Sequence, residues 1–149
     1  MTWIYFNDAV RRTGLGQFDL SSADASWKAS LHGTTASANL VADTSIWSDI
    51  GSEVDSGGYP AGGIPLSGVG WASVSAGEFR FDFDDPVFTA SGEAMTGIRF
   101  IVVRASVTNS TDGYPLCYAA LDTVNFSVAD GNTLTVQLNT NGAFTFGKA

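Results

Sequence analysis

Alternation of apolar and polar residues dominates the second half of the chain and predicts β-strands. In EFRFDFDD (78–85), Phe79, Phe81 and Phe83 fall on one side of an extended chain, and the charged residues between them fall on the other. Successive side chains of a strand point to opposite faces of a sheet. The pattern therefore predicts a strand with one buried face and one solvated face.

Two other segments are apolar at both alternating positions. GIRFIVVRA (97–105) and PLCYAALD (115–122) both contain such continuous apolar runs. Strands that are covered on both sides carry runs of this kind. We therefore expect these two segments to be central strands of a sheet.

The C-terminal stretch TLTVQLNTNGAFTF (133–146) predicts a hairpin. Leu134, Val136 and Leu138 alternate with polar residues, NTNG supplies a turn, and AFTF puts its two phenylalanines on one face. Two alternating runs joined by an Asn-Gly turn are typical of paired antiparallel strands. DGN (130–132) predicts a second turn, which joins NFSV to TLTVQL.

The first half of the chain is less regular. FNDAVRRTG (6–14) predicts a short helix with Asn7 as its N-terminal cap and Gly14 at its end. SIWSDIGSEV (45–54) fits a helical face about as well as an irregular strand, so both interpretations stay open.

SWKASLH (26–32) predicts a strand in the first half. Its apolar residues Trp27, Ala29 and Leu31 face inward in this interpretation. His32 then falls on the polar side, which predicts a histidine at the surface.

The elements together predict a mainly β fold with one or two short helices, arranged as an antiparallel β-sandwich or a barrel-like structure. A chain of 149 residues is long enough to bury a core as a single domain, residues 1–149. Its 44% hydrophobic and 15% charged residues exclude a disordered chain and a coiled coil.

The segment DSGGYPAGGIPLSG (55–68) is rich in glycine and proline. It lacks the lysine of a phosphate-binding loop, and its apolar residues are not typical of a linker between domains. We interpret it as a corner of the β-domain in which glycines adopt positive φ angles and the tyrosine packs. The candidate residues for this turn, and for a subunit contact, are Gly57, Gly58, Tyr59, Gly62 and Gly63.

The N-terminal TWIYF is apolar at consecutive positions, where a chain would normally fray. Residues 1–6 therefore form either an added edge strand or an arm that docks on another subunit, with Trp3, Tyr5 and Phe6 as candidate interface residues. If they form an arm, their deletion abolishes partner binding without unfolding the domain.

Charge and composition limit the kinds of binding partner that we expect for the chain. Fifteen acidic residues against seven basic ones give a net charge of -8, which repels the phosphate backbone of nucleic acid. The N-terminus does not have the order of a signal peptide, and no apolar run approaches the roughly 20 residues of a membrane span. We therefore expect a soluble protein made in a cytoplasm. Cys117 is the only cysteine, and we expect it to be buried and inert.

No motif in the chain points to catalysis or to a cofactor. One histidine and one cysteine do not make a zinc site, and a Ser-His-Asp triad would have to use His32 without a nucleophile-elbow motif. Asp82, Asp84 and Asp85 raise the possibility of calcium binding, against a solvated strand end. Nothing singles out two of the fifteen carboxylates as a glycosidase pair.

The aromatic residues leave a further alternative open. Four tryptophans and ten phenylalanines are typical of the core of a small β-domain. They could also supply a platform on which a sugar stacks.

The order of motifs along the chain carries a resemblance. In sequence the motifs are FNDAV, FDL (18–20), WKASLHG, WSDI (47–50), EVDSGGYPAGGIPLSG, FRFDFDDPVFTASG, GIRFIVV, PLCYAALD and TLTVQLNTNGAFTF. The series resembles, over nearly the whole chain, a family of small structural proteins of tailed bacteriophage particles. The most specific part runs from Glu53 to Leu66.

The resemblance implies a non-enzymatic virion component, in first place a capsid decoration protein that reinforces the head shell. Such proteins form homo-oligomers on the capsid and contact the major capsid protein or other virion proteins, with no cofactor, nucleic acid or membrane involved. The expected location is therefore the virion, after synthesis in the host cytoplasm. The alternatives are a tail, adaptor or fibre component, and a carbohydrate- or receptor-binding module.

Overall fold

The computed structural model describes residues 1–21, 27–38, 40, 43–105 and 113–147. Within these residues the chain is mainly β, as the sequence predicts. The elements in chain order are β1 (Trp3–Tyr5), α1 (Asn7–Gly14), β2 (Trp27–His32), two 3-10 helices (Thr34–Ala38 and Trp47–Asp49), β3 (Ile64–Pro65), β4 (Gly70–Ser75), β5 (Glu78–Asp82), β6 (Val87–Thr89), β7 (Met95–Ile98), β8 (Phe100–Ala105), β9 (Tyr114–Ala120), β10 (Phe126–Val128), β11 (Thr133–Thr135) and β12 (Phe144–Gly147).

The main sheet has five antiparallel strands in the order β1-β9-β8-β2-β3. Ile101, Val102 and Val103 of β8 are fully buried, so both alternating faces of this strand are covered. Leu116 and Cys117 of β9 are also fully buried. The prediction of two central strands from continuous apolar runs is therefore confirmed, as is the burial of the thiol.

A second layer packs against the main sheet. It contains a three-stranded sheet in the order β12-β5-β4, and the pairs β10-β7 and β11-β6 form two smaller sheets. Trp27 of β2 contacts Phe81 of β5, with ring centroids 5.3 Å apart, so the two layers share one core. Among the described residues, no sheet closes on itself to form a barrel. Of the two predicted forms, the structure therefore confirms the sandwich-like one.

The predicted C-terminal hairpin is wrong. β11 pairs with β6, where Leu134 lies opposite Phe88, and β12 pairs with β5, where Phe144 lies opposite Phe81. A bridge between Asn139 and Gly142 closes the NTNG turn, but the two strands beside it belong to different sheets. Phe144 of AFTF stacks on Phe81 of β5 with ring centroids 5.2 Å apart, and cross-strand aromatic pairs of this kind favour the pairing of β12 with β5.

The predicted DGN turn is also present, although the strands on either side of it do not pair with each other. Asn132 donates its backbone N–H to the carbonyl of Ala129 at 3.0 Å, which confirms a turn at 130–132. The strands that this turn connects, β10 and β11, also lie in different sheets.

The predicted helix is present, but its cap differs from the prediction. Phe6 occupies the N-cap position, and no side chain caps the helix. The amide of Asn7 instead donates to Asp43 at 2.9 Å. Asp8 in the first turn binds both Arg11 and Arg12, which stabilises the helix by pairing charges three and four residues apart.

The undecided segment 45–54 resolves into short irregular structure. Trp47–Asp49 form one turn of 3-10 helix, and Glu53 then makes an isolated antiparallel bridge to His32. Neither a full helix nor a regular strand forms here, since the segment covers one end of β2 and then turns into the glycine-rich corner.

The N-terminal residues form an added edge strand. Trp3, Ile4 and Tyr5 pair with β9, and Phe6, which follows them, is fully buried and donates its backbone N–H to the carbonyl of Leu116. Of the two alternatives for residues 1–6, the structure therefore contains the edge strand. Their deletion removes part of the main sheet, so we expect it to destabilise the domain rather than leave it folded.

Substitution of Phe6 tests this conclusion. Phe6→Ala is expected to lower the free energy of unfolding by about 3–5 kcal/mol, because a fully buried aromatic ring leaves a cavity. Ile4→Ala is the matched control: the side chain lies in β1 but is 45% exposed, so its loss is expected to cost about 1 kcal/mol or less. Urea denaturation measures both, and equal losses would contradict the structural role of Phe6.

Candidate functional site

One face of the β12-β5-β4 sheet carries a row of aromatic side chains. Trp71, Phe81 and Phe144 lie opposite one another across the three strands, and Phe79 and Phe146 form the next pair along. Phe81 is fully buried, whereas Phe79 and Phe146 are 41% and 38% exposed. The row therefore begins in the core and ends in solvent. We call Trp71, Phe79 and Phe146 the aromatic patch.

Ring contacts hold the aromatic patch in place. Trp71 lies parallel to Phe79 with ring centroids 5.9 Å apart, and it contacts Phe146 at 5.5 Å. Tyr5 of β1 meets Phe146 edge-on at 5.5 Å and Phe144 at 4.7 Å. Since edge-on and offset parallel pairs are favourable arrangements, the patch is an ordered surface rather than a set of loose side chains.

A cavity of about 250 Å³ adjoins the aromatic patch, and we call it the Trp71 cleft. Its walls come from the end of α1, the segment before β2 and strand β4. The lining residues are Thr13, Phe18, Asp19, Leu20, Ser21 and Trp71.

The walls of the Trp71 cleft combine apolar and polar groups. Phe18 and Leu20 are buried, whereas Asp19 and Ser21 are exposed. Asp19 Oδ1 accepts hydrogen bonds from the backbone N–H of Ser21 at 3.0 Å and from its hydroxyl at 2.7 Å. The cleft therefore has an apolar interior and a carboxylate of fixed orientation at its rim.

Tyr5 supports the wall of the cleft. Thr13 Oγ1 donates to the carbonyl of Ala9 at 2.8 Å, so the hydroxyl of Tyr5 donates to Thr13 Oγ1, also at 2.8 Å. Burial raises the pKa of Tyr5 to about 12, which keeps this hydroxyl protonated at neutral pH. The edge strand thereby fixes the position of a cleft residue.

The other two candidate residues of the N-terminus lie inside the domain. The ring of Trp3 is half-buried and packs edge-on against Phe83 at 6.0 Å, and Phe6 is fully buried. Of the three candidate residues, only Trp3 and Tyr5 therefore have half-buried rings to offer to another subunit. The aromatic surface of the fold lies instead on β4, β5 and β12.

The glycine-rich segment forms the predicted corner. Gly57, Gly58, Gly62 and Gly63 have positive φ angles between 65° and 83°, and Tyr59 is 8% exposed. Gly57 and Gly63 are buried, and Gly58 is exposed. A subunit contact through this corner remains a prediction.

Hydrogen bonds attach the corner to the main sheet. The hydroxyl of Tyr59 donates to Glu53 Oε1 at 2.9 Å and accepts the backbone N–H of Leu31 at 3.0 Å. The same carboxylate oxygen accepts from the N–H of Gly62 at 2.7 Å, and Arg104 donates to the carbonyl of Gly62 at 2.9 Å. Burial, with the neighbouring Glu53 carboxylate, raises the pKa of Tyr59 well above its usual value. The phenol therefore stays protonated and keeps both hydrogen bonds.

His32 is buried, so the prediction of a surface histidine is wrong. Its exposed fraction is 1%, because β2 lies between two strands and its polar face is covered as well. His32 Nδ1 donates to the carbonyl of Gly51 at 2.7 Å, and Nε2 accepts from Ser30 Oγ at 2.9 Å. Trp47 Nε1 also donates to Ser30 Oγ at 2.9 Å, and its ring stands edge-on to the imidazole. The Nδ1 partner is a backbone carbonyl rather than the carboxylate of a triad.

The three aspartates near the end of β5 do not converge on one site. Asp82 lies 3.4 Å from Arg80, Asp84 accepts from the hydroxyl of Ser67 at 2.9 Å, and Asp85 accepts from the backbone N–H of Leu138 at 2.8 Å. In the part of the chain that the structure describes, no group of three or more histidine, cysteine or acidic side chains is placed to hold a metal ion.

Alternation alone did not identify the aromatic patch or the Trp71 cleft. It grouped Phe79 with Phe81 and Phe83 as inward-facing residues, although Phe79 extends beyond the core. The pairing of β12 with β5, which places Phe146 beside Phe79, was not predicted. The nearest signal in the sequence was the high number of aromatic residues.

A glycine pair tests the corner. An added Cβ at Gly63 would overlap the backbone carbonyl of Ala29, whereas Gly131, with the same φ of 78°, has open space around it. Gly131→Ala is expected to cost about 1–2 kcal/mol, the strain of a positive φ alone. Gly63→Ala is expected to cost at least about 3 kcal/mol or to prevent folding. Similar losses in thermal or urea denaturation would show that the corner does not approach β2 as closely as described.

Burial of His32 predicts a pH dependence of stability. Burial lowers the pKa of His32 to about 4 in the folded state, against about 6.5 when unfolded. Only the unfolded chain binds the proton between these values, so stability falls as the pH falls from 6.5 to 4 and then stops changing on this account. The loss is expected to be about 3 kcal/mol.

The measurement is urea denaturation across pH 7.5–4, with His32→Gln as the comparison. Because His32 is the only histidine, the variant should lose the part of the slope between pH 6.5 and 5. A proton NMR titration of the folded protein in which the imidazole signals titrate near pH 6.5 would contradict the buried, neutral state.

None of the helices in the described residues combines the length and the apolar character of a membrane span. Comparison of the chain with models of protein families, with curated proteins and with solved structures found no match. Function must therefore be inferred from the surface chemistry of the chain itself.

Proposed function

We propose that this chain is a non-enzymatic structural protein of a tailed bacteriophage virion, and within the virion a decoration protein that binds the major capsid protein and stabilises the head shell. The proposal joins the resemblance, which is most specific from Glu53 to Leu66, to one structural observation. That observation is the exposed aromatic patch on the β12-β5-β4 sheet.

The aromatic patch supports a role in protein binding. Two phenylalanines on neighbouring strands are 41% and 38% exposed, and Trp71 lies against both. Exposed apolar patches on small domains mark sites of association, and aromatic residues contribute most strongly at interface centres. The ring contacts hold the patch in one arrangement, so little conformational entropy is lost when a partner covers it.

The corner supports the proposal in a different way. The residues that carry the resemblance are held by partly buried hydrogen bonds between Glu53, Tyr59 and Gly62. A pattern of this kind specifies how the fold is built, so it supports membership in a family of folds more than the use of a particular surface. The contact surface in the proposal is therefore the aromatic patch.

The net charge of the chain indicates what kind of partner surface it would bind. A net charge of -8 favours association with a neutral or basic protein surface and opposes contact with nucleic acid. We propose that several copies bind one particle, since a shell presents the same surface repeatedly. No cofactor is needed for this role.

Removal of the aromatic patch tests the proposal. Phe79→Ser combined with Phe146→Ser is expected to weaken binding to heads assembled without the protein by about tenfold or more, as loss of two interface aromatics would. Co-sedimentation with purified heads measures it. Val124→Ser is the matched control, because Val124 is 64% exposed but lies outside the patch, and it should bind as the original chain does.

The outcomes are distinct. Full binding by the double variant, with an unchanged circular dichroism spectrum, would overturn the role of the patch. Cryo-electron microscopy that finds the domain on the tail, adaptor or fibre would overturn the head assignment while leaving a virion role. Absence from the particle would overturn both.

A further inference from the structure

We infer that the Trp71 cleft binds the guanidinium group of an arginine side chain presented by the partner protein. The inference deepens the proposed function and rests on it for the statement that the partner is a protein. The chemistry of the cleft itself is a property of this chain and is tested without a particle.

The size of the cleft matches that of a single side chain. Its volume of about 250 Å³ lies just below the range of about 300–1,000 Å³ that holds drug-sized ligands. This space holds one side chain or one small ring. A single residue inserted from a docked protein matches this space.

The indole of Trp71 supplies an attractive wall for a cation. Phe79 and Phe146 fix the ring, so the part of Trp71 that lines the cleft does not need to reorder. A tryptophan face attracts cations through its quadrupole, and the planar guanidinium of arginine stacks on it better than the ammonium of lysine does.

The same domain already uses this pairing elsewhere. The guanidinium carbon of Arg12 lies 3.4 Å from the centre of the Tyr114 ring, and that of Arg104 lies 4.1 Å from the centre of the Trp47 ring. Arginine on an aromatic face is therefore a contact that this fold accommodates in both half-buried and buried surroundings.

Asp19 supplies the counter-charge. Two hydrogen bonds from Ser21 orient its exposed carboxylate at the rim of the cleft. Arginine donates charge-assisted hydrogen bonds to a carboxylate while its planar group stacks on an aromatic face, a combination that the ammonium of lysine makes less well. The Thr13 hydroxyl adds a polar wall, and a hydroxyl oxygen has two acceptor positions, of which Tyr5 uses one.

The overall charge favours the same occupant. A net charge of -8 attracts cations and repels phosphates and carboxylates as ligands. A neutral sugar ring would meet the same aromatic wall but would gain nothing from the carboxylate's charge. The observations therefore favour a basic side chain, and a sugar is an outcome of the test.

The experiment is an NMR titration of the ¹⁵N-labelled chain. Its four tryptophans give separate indole N–H signals, and Trp71→Phe identifies the signal of Trp71 by its absence. The probe is N-acetyl-arginine amide. Its matched control is N-acetyl-citrulline amide, which keeps the shape and lacks the charge. We expect the Trp71 signal to shift saturably with a Kd on the order of millimolar, as a single contact site allows.

Variants of the chain test whether the charge of Asp19 contributes to arginine binding. Asp19→Asn is expected to weaken arginine binding about fivefold or more, whereas Asp55→Asn, an exposed aspartate in the glycine-rich corner, should leave it unchanged. Raising the salt concentration should weaken arginine binding and leave citrulline unaffected.

Three results would overturn the inference. Equal shifts with the arginine and citrulline compounds would show that the cleft does not recognise charge. If the Trp71 signal does not shift at 50 mM of the arginine compound (about 50 times the expected Kd), the cleft does not bind arginine. A shift with methyl glucoside but not with arginine would make the cleft a sugar site. The titration needs no phage particle, so its failure and the failure of head binding by the patch variants are distinguishable.

Discussion

Coverage of the main sheet on both faces is the constraint on which the rest of the structure depends. On one face of β2, Trp27 packs against Phe81 of the second layer. On the other face, Ser30 and His32 are equally buried and make their hydrogen bonds beneath Trp47. Because polar groups that lose water must find partners, this second face needs the loop that brings Trp47 and the carbonyl of Gly51 over it.

The glycine-rich corner follows from the same constraint. The chain must leave the covered face and return to pair as β3, and it passes close to the backbone of β2 at Gly63, where no Cβ fits. Tyr59 then fills the space and takes the N–H of Leu31, while Glu53 joins the phenol to the turn. The segment that the sequence predicts as a corner is thus attached to the main sheet by several hydrogen bonds.

The second layer is less completely covered, and this leaves the aromatic patch exposed. The aromatic row on β4, β5 and β12 begins at Phe81, which is fully buried, and ends at Phe79 and Phe146, which are exposed. Tyr5 of the edge strand and Thr13 of the helix then close one side of the space under Trp71. The proposed docking surface and the proposed arginine site are therefore neighbours, since Trp71 belongs to the aromatic patch and also lines the cleft.

The sequence by itself determined the mainly β class, several of the strands, the two strands that are covered on both sides, and the turns at 55–68 and 130–132, because side-chain alternation and turn chemistry are local. GIRFIVVRA and the glycine-rich corner are examples. Only the tertiary structure decided that β12 pairs with β5, that the polar side of β2 is buried around His32, and that Phe79 is exposed. Alternation states which side chains share a face, but not which strand lies beside it or how far the opposing layer reaches.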